Sequence, residues 1–122
     1  MLSSGFVFIS GPYRGADYLE VEANIAEATN WAAALAVEGI PYFCPHMNSA
    51  HMEVIVPEVP GGFWLDLDRR ILRYATALLL VRGWRDSAGA RAELEYAHEL
   101  KMPIYTDLMF NDLVKDWRAA NV

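Results

Sequence analysis

The chain has 122 residues, of which 54% are hydrophobic and 21% charged, so it is long and apolar enough for one domain with one core. Its formal net charge of -6 excludes the basic surface through which proteins bind polymeric nucleic acid or anionic membranes non-specifically. A small anionic ligand held by a few local contacts remains compatible with this charge.

The single cysteine, Cys44, excludes an intrachain disulfide and is typical of a protein in a reducing cytoplasm. The first residues, Met1 to Gly5, lack the basic region and cleavage site of a secretory signal. No apolar run reaches the roughly 20 residues that cross a bilayer. We therefore expect a cytoplasmic protein with no membrane partner.

Strand and helix patterns alternate along the chain. Short apolar runs predict buried strands, and apolar residues at helical spacing predict helices, the first of which ends at Gly39. The predicted elements are a strand over 6–10, a helix over 17–38, a strand over 40–44, a helix over 63–74, a strand over 76–81, a helix over 87–100, a strand over 103–105 and a helix over 108–119. This order predicts one α/β domain over residues 1–122, with a mainly parallel sheet of four to five strands and helices on both faces.

Ligands of such sheets bind beyond the carboxyl ends of the strands. The loops there are residues 11–15, 45–60, 82–89 and 106–107, and the first three hold most of the polar residues of interest. The segment 45–60 is predicted to be irregular, and at about 15 residues it has the length of a binding loop or lid.

Glu93 is the first candidate catalytic residue. Helical spacing places Ala90, Leu94 and Ala97 in one apolar stripe, and Glu93 lies on its border. The alternative is a structural glutamate paired with Arg91 or a lysine.

The helix start before Glu93 is favourable for an anion. Asp86 and Ser87 are good N-cap residues, Ala88 and Gly89 leave space, and the free backbone amides there favour a phosphate. Alternatively, Ser87 only caps the helix.

The turn Gly11-Pro12-Tyr13-Arg14-Gly15 follows the first strand. Gly11 and Gly15 allow close approach of a ligand, and Arg14 suits a phosphate or carboxylate. The turn has neither the dinucleotide-binding nor the Walker pattern, and the alternative is a plain turn with an exposed arginine.

Asp68 is expected on the inward face of its helix, whereas Asp66 is expected in solvent. Asp68 and Glu93 would then form a carboxylate pair, which is the usual equipment for cleaving a glycosidic bond. The alternative is a salt bridge from Asp68 to Arg69 or Arg73.

Other chemistries have little support. Cys44-Pro45-His46 and His51-Met52-Glu53 match no zinc signature, so we expect neither a metal nor another cofactor. Trp64, Trp84 and Tyr13 are expected to flank the site, where they would stack on a base or pack in the core or a dimer contact.

Several segments together resemble motifs of the nucleoside 2-deoxyribosyltransferase superfamily, over roughly residues 5–106. The nearer similarity is to its small nucleotide N-hydrolases and to short uncharacterised bacterial and phage proteins. The segments that carry the resemblance are Phe8-Ile9-Ser10-Gly11-Pro12, Asn24, Asp68 with Leu72 and Ala75, and Ser87-x-Gly89-x-x-x-Glu93-Leu94-x-x-Ala97.

The resemblance implies a flavodoxin-like three-layer sandwich and cleavage of an N-glycosidic bond. Glu93 matches the glutamate that attacks C1′ of the sugar, and Asp68 matches the acid near the base. A homodimer or larger homo-oligomer is also implied. The residues implied to hold the 5′-phosphate or the 5′ end are Gly11, Pro12, Tyr13, Arg14, Ser87 and Gly89.

Two positions depart from the family pattern. Phe8 stands where relatives carry an aromatic hydroxyl that supports the nucleophile, and Tyr13 is the predicted substitute. Thr76 replaces an aspartate that usually follows Ala75. The expected function is hydrolysis of a nucleoside 5′-monophosphate or nucleoside. The alternatives are 2-deoxyribosyl transfer, non-catalytic binding of a nucleotide-derived ligand, and a purely structural oligomer.

Overall fold

The computed structural model describes residues 5–120, so the prediction that Met1 to Ser4 contain no signal lies outside the described residues. The strands are β1 (Val7–Ser10), β2 (Tyr42–Phe43), β3 (Ala77–Leu80) and β4 (Ile104–Thr106). The helices are α1 (Tyr18–Val37), α2 (Pro45–Asn48), α3 (Met52–Ile55), α4 (Gly61–Leu72), α5 (Ala88–Glu99) and α6 (Phe110–Ala120). Single 3-10 turns cover Trp84–Asp86 and Asp107–Met109.

The sheet is parallel throughout and has the strand order β2-β1-β3-β4. At the centre of the sheet, Phe8 of β1 pairs with Leu78 of β3, and Leu78 pairs on its other side with Ile104 of β4. Helices cover the sheet, and the arrangement is a flavodoxin-like three-layer sandwich. The predicted α/β class is confirmed, with four strands among residues 5–120.

The two faces of the sheet have separate hydrophobic cores because successive side chains of a strand point to opposite faces. Val7 and Ile9 pack with residues of α1 and α6, such as Leu35 and Leu113. The opposite core combines alternate strand residues with those of α4 and α5: Phe8, Leu78, Leu80, Leu72, Ala90 and Ala97. The same alternation places Ser10, the last residue of β1, on the α4 and α5 side.

Local signals in the sequence explain where α1 begins and ends. The side chain of Asp17 accepts a hydrogen bond from the backbone N–H of Glu20 at 2.9 Å and so caps the first turn. Gly39 follows the helix with φ +74°, the left-handed conformation that glycine adopts without steric cost. The predicted end of this helix at Gly39 is confirmed.

The segment 45–60 differs from its prediction because it contains the short helices α2 and α3 rather than only irregular chain. Pro45 occupies the first position of α2, where its missing N–H costs nothing. His51, at φ +60°, turns the chain between the two helices. Apolar periodicity does not reveal these helices because each is only about one turn long.

The bounds of other elements differ as well, most clearly those of β2 and α4. β2 has two residues rather than the predicted five. Pro41, just before it, has no N–H to donate to the sheet. Only the carbonyl oxygen of Pro41 takes part, by accepting a hydrogen bond from Val7 N–H at 2.9 Å. α4 begins at Gly61 and ends at Leu72, two residues earlier at each end than predicted.

Candidate functional site

A cavity of about 790 Å³ opens at the carboxyl edge of the sheet. Its walls come from the turn after β1, the segment 45–61, α4 and the start of α5. This volume lies within the range of small-molecule sites, about 300 to 1,000 Å³. Three of the four predicted loops border the cavity, whereas the turn at 106–107 does not.

Glu93 projects from α5 into the cavity and is only 7% exposed. The hydroxyl of Ser10, itself 1% exposed, donates a hydrogen bond of 2.5 Å to Glu93 Oε1. The pKa of Glu93 is raised to about 7: burial is the largest cause, the hydrogen bond from Ser10 opposes it, and the charge of Asp68 adds to it. The structure therefore orients this carboxylate through a single hydroxyl and leaves it close to half-ionised at neutral pH.

The alternative prediction, that Glu93 is a structural glutamate paired with Arg91 or a lysine, is wrong. Glu93 forms no ion pair with any residue of the described range 5–120. Arg91 instead donates from Nη1 to the carbonyl oxygen of Arg85 at 2.6 Å. The carboxylate thus carries no compensating positive charge from the protein.

Asp68 lies on α4, is half-buried and borders the same cavity as Glu93. Burial raises its pKa to about 6. No residue in the described part of the chain forms a hydrogen bond or ion pair with it. The predicted convergence of the two carboxylates on one cavity is confirmed.

The alternative partners of Asp68 are occupied elsewhere. Arg69 lies over the ring of Tyr96 at 4.4 Å, and Arg73 lies over Tyr74 at 5.4 Å. Asp66 is exposed, as predicted, and pairs with Arg70 at 2.8 Å. The proposed salt bridge from Asp68 to Arg69 or Arg73 is therefore wrong.

The start of α5 forms one end of the cavity. The Ser87 hydroxyl oxygen accepts a hydrogen bond from Ala90 N–H at 3.1 Å, which confirms its role as N-cap. A Cβ added at Gly89 would lie 3.5 Å from a methyl group of Leu65, an ordinary contact distance. Packing within the protein therefore does not require glycine at position 89, and its absent side chain leaves the cavity open.

The glycines of the first turn have a different role. A Cβ on Gly11 would lie 2.4 Å from Cγ2 of Val81, and one on Gly15 would lie 2.3 Å from Cβ of Glu20. Both positions require glycine because of contacts inside the protein, although Gly11 and Gly15 also border the cavity. The presence of glycine at these two positions is therefore explained without the predicted approach of a ligand.

Arg14 lies at the mouth of the cavity. Its side chain is exposed and lies against the start of α4, where a Cβ on Gly61 would be 2.5 Å from a guanidinium nitrogen. Among residues 5–120, no acidic side chain pairs with it. Asn24 fixes the backbone of this turn by donating from Nδ2 to the carbonyl oxygens of Tyr13, at 3.1 Å, and Arg14, at 3.2 Å.

Tyr13 does not support Glu93, so that prediction is wrong. Its hydroxyl contacts the two oxygens of Glu53 at 2.9 and 3.0 Å as a donor, and accepts from His51 N–H at 2.7 Å. Ser10 is the residue that supports Glu93. This role for Ser10 was not predicted from the sequence, although the alternation of β1 could have indicated it, because Ser10 shares a face with Phe8.

His46 also borders the cavity and was not predicted as a site residue. It is 4% exposed, and its Nε2 donates to the carbonyl oxygen of Pro12 at 2.8 Å. Burial lowers the pKa of this imidazole, so the ring is neutral and Nδ1 carries a lone pair. Nδ1 is buried, and no described residue forms a hydrogen bond with it.

The two tryptophans have different positions. Trp64 of α4 borders the cavity, as predicted. Trp84 instead packs against the core on the α4 and α5 side, with Arg85 4.7 Å from its ring. The prediction that Trp84 flanks the site is therefore wrong, and its alternative, packing in the core, holds.

Within residues 5–120, no group of three or more histidine, cysteine, aspartate or glutamate side chains is arranged to hold a metal ion. His51, one of the candidate ligands, contacts Glu22 through Nε2 at 2.5 Å. In the same part of the chain, no helix combines the length and the apolar character needed to cross a membrane.

Comparison with known proteins places the chain in a family. No curated protein matches the chain. A family model described as "Domain of unknown function (DUF1937)" matches residues 5–107, which are most of the chain and include β1 to β4 and the whole cavity wall. The chain therefore belongs to the DUF1937 family.

Proposed function

We propose that this protein cleaves the N-glycosidic bond of a nucleoside 5′-monophosphate or nucleoside, with Glu93 as the nucleophile and Asp68 as its partner. The observation that carries the proposal is the pair of carboxylates, from α4 and α5, that border one cavity and have no neutralising side chain among residues 5–120. Paired carboxylates are the usual groups of glycosidic chemistry. The resemblance of the sequence to the nucleoside 2-deoxyribosyltransferase superfamily supports the choice of an N-glycoside.

The reaction would proceed in two steps. Glu93 attacks C1′, the C1′–N bond breaks, and the base leaves with the bonding electrons and takes a proton from Asp68. A glycosyl ester on Glu93 results. Water then attacks C1′, Asp68 accepts its proton, and the sugar leaves with Glu93 regenerated.

The protonation states set a narrow pH range for this mechanism. Glu93 must be ionised and Asp68 protonated, yet the pKa of Glu93 is about 7 and that of Asp68 is about 6. Because the pKa of Glu93 lies above that of Asp68, the form with Glu93 ionised and Asp68 protonated is the minor one of the two singly protonated forms of the pair. The apparent values belong to the pair, since the charge of Asp68 acts on Glu93.

The 5′ end of the substrate would lie where α4 and α5 begin. Arg14 supplies a guanidinium beside Gly61, and α5 presents free backbone N–H groups near Gly89. The Ser87 oxygen accepts from Ala90 N–H, so its own hydroxyl proton is available to a phosphate. Tyr13 would contribute its ring, because its hydroxyl is bound to Glu53 and His51.

We also propose a cytoplasmic homo-oligomer. Cys44 is buried and free, as suits a reducing compartment. Phe63 and Leu65, on α4, are about half exposed, and large apolar side chains left in solvent by one chain are candidates for contact with a second copy. Sedimentation of the purified protein measures the oligomeric state directly.

The test is a product-release assay over nucleosides and their 5′-monophosphates. Wild-type protein should release free base and sugar, Glu93→Gln should lose at least about 1,000-fold in rate because it removes the nucleophile, and Asp68→Asn should lose about 100-fold or more. Glu95→Gln is the matched control, since Glu95 is exposed on the same helix.

Two further outcomes separate the alternatives. Exchange of the sugar onto an added second base, without free sugar, identifies a transferase. Tight binding of a nucleotide without any turnover identifies a ligand-binding protein and overturns the enzymatic proposal.

A further inference from the structure

The charges around the cavity are unbalanced. Four carboxylates border it against one guanidinium, that of Arg14. Two of the acids are exposed at the rim, where the hydroxyl of Tyr13 binds one of them. The four are Glu53, Asp68, Asp86 and Glu93. A ligand whose nucleobase is neutral or anionic would leave this excess of negative charge uncompensated.

The described residues give Asp68 and Glu93 one hydrogen-bond donor between them, the hydroxyl of Ser10, and no positively charged partner. Asp68 has no partner among residues 5–120, and Glu93 receives one bond, from Ser10 to Oε1, so that Oε2 has none. His46 adds a buried acceptor, because its only ring proton is donated to the carbonyl oxygen of Pro12 and Nδ1 is unpartnered. Removing an unpaired carboxylate from water costs free energy, and attraction to a positively charged ligand would offset that cost.

Among residues 5–120, the one guanidinium that borders the cavity lies at the start of α4, away from Asp68. Arg14 contacts the start of α4 at Gly61, and Asp68 follows seven residues later, about 10 Å along the helix axis. Trp64 lies between them on the same helix and borders the cavity. An aromatic ring next to carboxylates suits a flat cation. The cavity thus fits a ligand with an anionic end at Arg14 and a cationic ring near Asp68.

From this arrangement we propose that the substrate is an N-glycoside with a positively charged base, such as a glycosylated pyridinium or an N7-alkylated purine. The inference rests on the proposed function and specifies its substrate class.

The chemistry of such a substrate agrees with the groups present. When Glu93 attacks C1′, a cationic base leaves as a neutral molecule with both electrons of the C1′–N bond, so no proton donor is needed. Asp68 then acts as an ionised partner of the base. Water resolves the glycosyl ester, and its proton goes through Asp68 to solvent. The pKa order of the two acids favours this course, because Asp68 is already ionised at a pH where Glu93 ionises.

Binding, rather than turnover, tests the proposal, because cationic glycosides are also intrinsically more reactive. The probes are nicotinamide riboside, whose pyridinium ring is charged, and dihydronicotinamide riboside, its neutral reduced form. Calorimetry with Glu93→Gln at pH 7 and low salt should give a Kd about tenfold lower for the charged probe. That ratio should fall to about threefold or less when Asp68→Asn is added, and should shrink as salt rises.

Asp66→Asn is the matched control, since Asp66 lies two residues from Asp68 but is exposed and paired with Arg70. It should leave the ratio unchanged, and thermal melts confirm that each variant is folded. Equal Kd values for the two probes, or a ratio unaffected by Asp68→Asn, overturn the inference even if neutral nucleosides are cleaved. A charge-dependent ratio in a protein that cleaves no N-glycoside supports the cation site and overturns the proposed function instead.

Discussion

Replacing Glu93 by glutamine should stabilise the protein in a pH-dependent way. The folded protein holds Glu93 with a pKa of about 7, against an ordinary value of 4.5. A carboxyl group with a raised pKa binds its proton more tightly in the folded state than in the unfolded state. Stability from this group is therefore complete below about pH 4.5 and is lost as the pH rises towards 7.

The size of the effect follows from the difference in pKa. About 2.5 pH units at 1.36 kcal/mol each give a loss of about 3 kcal/mol by pH 8. Glutamine has nearly the same shape, carries no charge and still offers Oε1 to the hydroxyl of Ser10, so Glu93→Gln avoids this loss. For a chain of 122 residues the difference corresponds to roughly 10 °C in Tm.

The assay is thermal or urea unfolding of wild type and Glu93→Gln between pH 4 and 8. The two proteins should have similar stability near pH 4 and diverge as the pH rises, with the variant more stable. Asp68 titrates in both proteins, and burial is the cause of its own raised pKa, so its contribution largely cancels. Glu95→Gln, on the exposed side of α5, should follow wild type throughout. A stability difference between wild type and Glu93→Gln that stays constant from pH 4 to 8 would refute the reasoning.

Three further predictions concern the site. Ser10→Ala removes the hydrogen bond that favours ionised Glu93. For a cationic substrate, whose cleavage needs both acids ionised, the acid limb of the pH–rate profile should therefore move upward by about one pH unit. Asp68→Asn should remove the alkaline limb of the profile for a neutral substrate and leave a single limb at or below about pH 7, set by Glu93, because the charge of Asp68 raises the pKa of Glu93; an unchanged bell-shaped profile would count against Asp68 as proton donor. Gly11→Ala should destabilise the protein by about 1 to 3 kcal/mol in urea unfolding, since its Cβ would lie 2.4 Å from a valine methyl group, whereas Gly62→Ala, which meets nothing within 4 Å, should not.

Much of the fold was readable from local pattern. Apolar runs marked the strands, Asp17 and Gly39 marked the two ends of α1, and the alternation of elements indicated a parallel sheet. These features depend on residues close together in the chain. The short helices of the segment 45–60 were not predicted, because one helical turn is too short to show a repeat of apolar residues.

The site was only partly predictable because its remaining contacts join distant parts of the chain. Glu93 and Asp68 were found from their helical faces. The hydrogen bond from His46 to Pro12 spans 34 residues and ends on a backbone carbonyl, which leaves no trace in side-chain pattern. The direction of the Tyr13 hydroxyl likewise depends on Glu53, 40 residues further along, so sequence spacing alone favoured the wrong partner.

The position of the uncompensated groups separates a functional site from a defect of packing. The core between the sheet and α1 and α6 is built from apolar and aromatic side chains, with the hydroxyl of Tyr105 bound to Asp116, whereas the opposite core ends in Ser10 and Glu93 at the carboxyl edge. A raised pKa at Glu93 reduces stability at neutral pH, and a glutamine would fit without that cost. Natural sequences depart from such local rules mainly where function requires it. The same carboxylate that weakens the fold above pH 4.5 is thus the one that the cavity presents to a ligand.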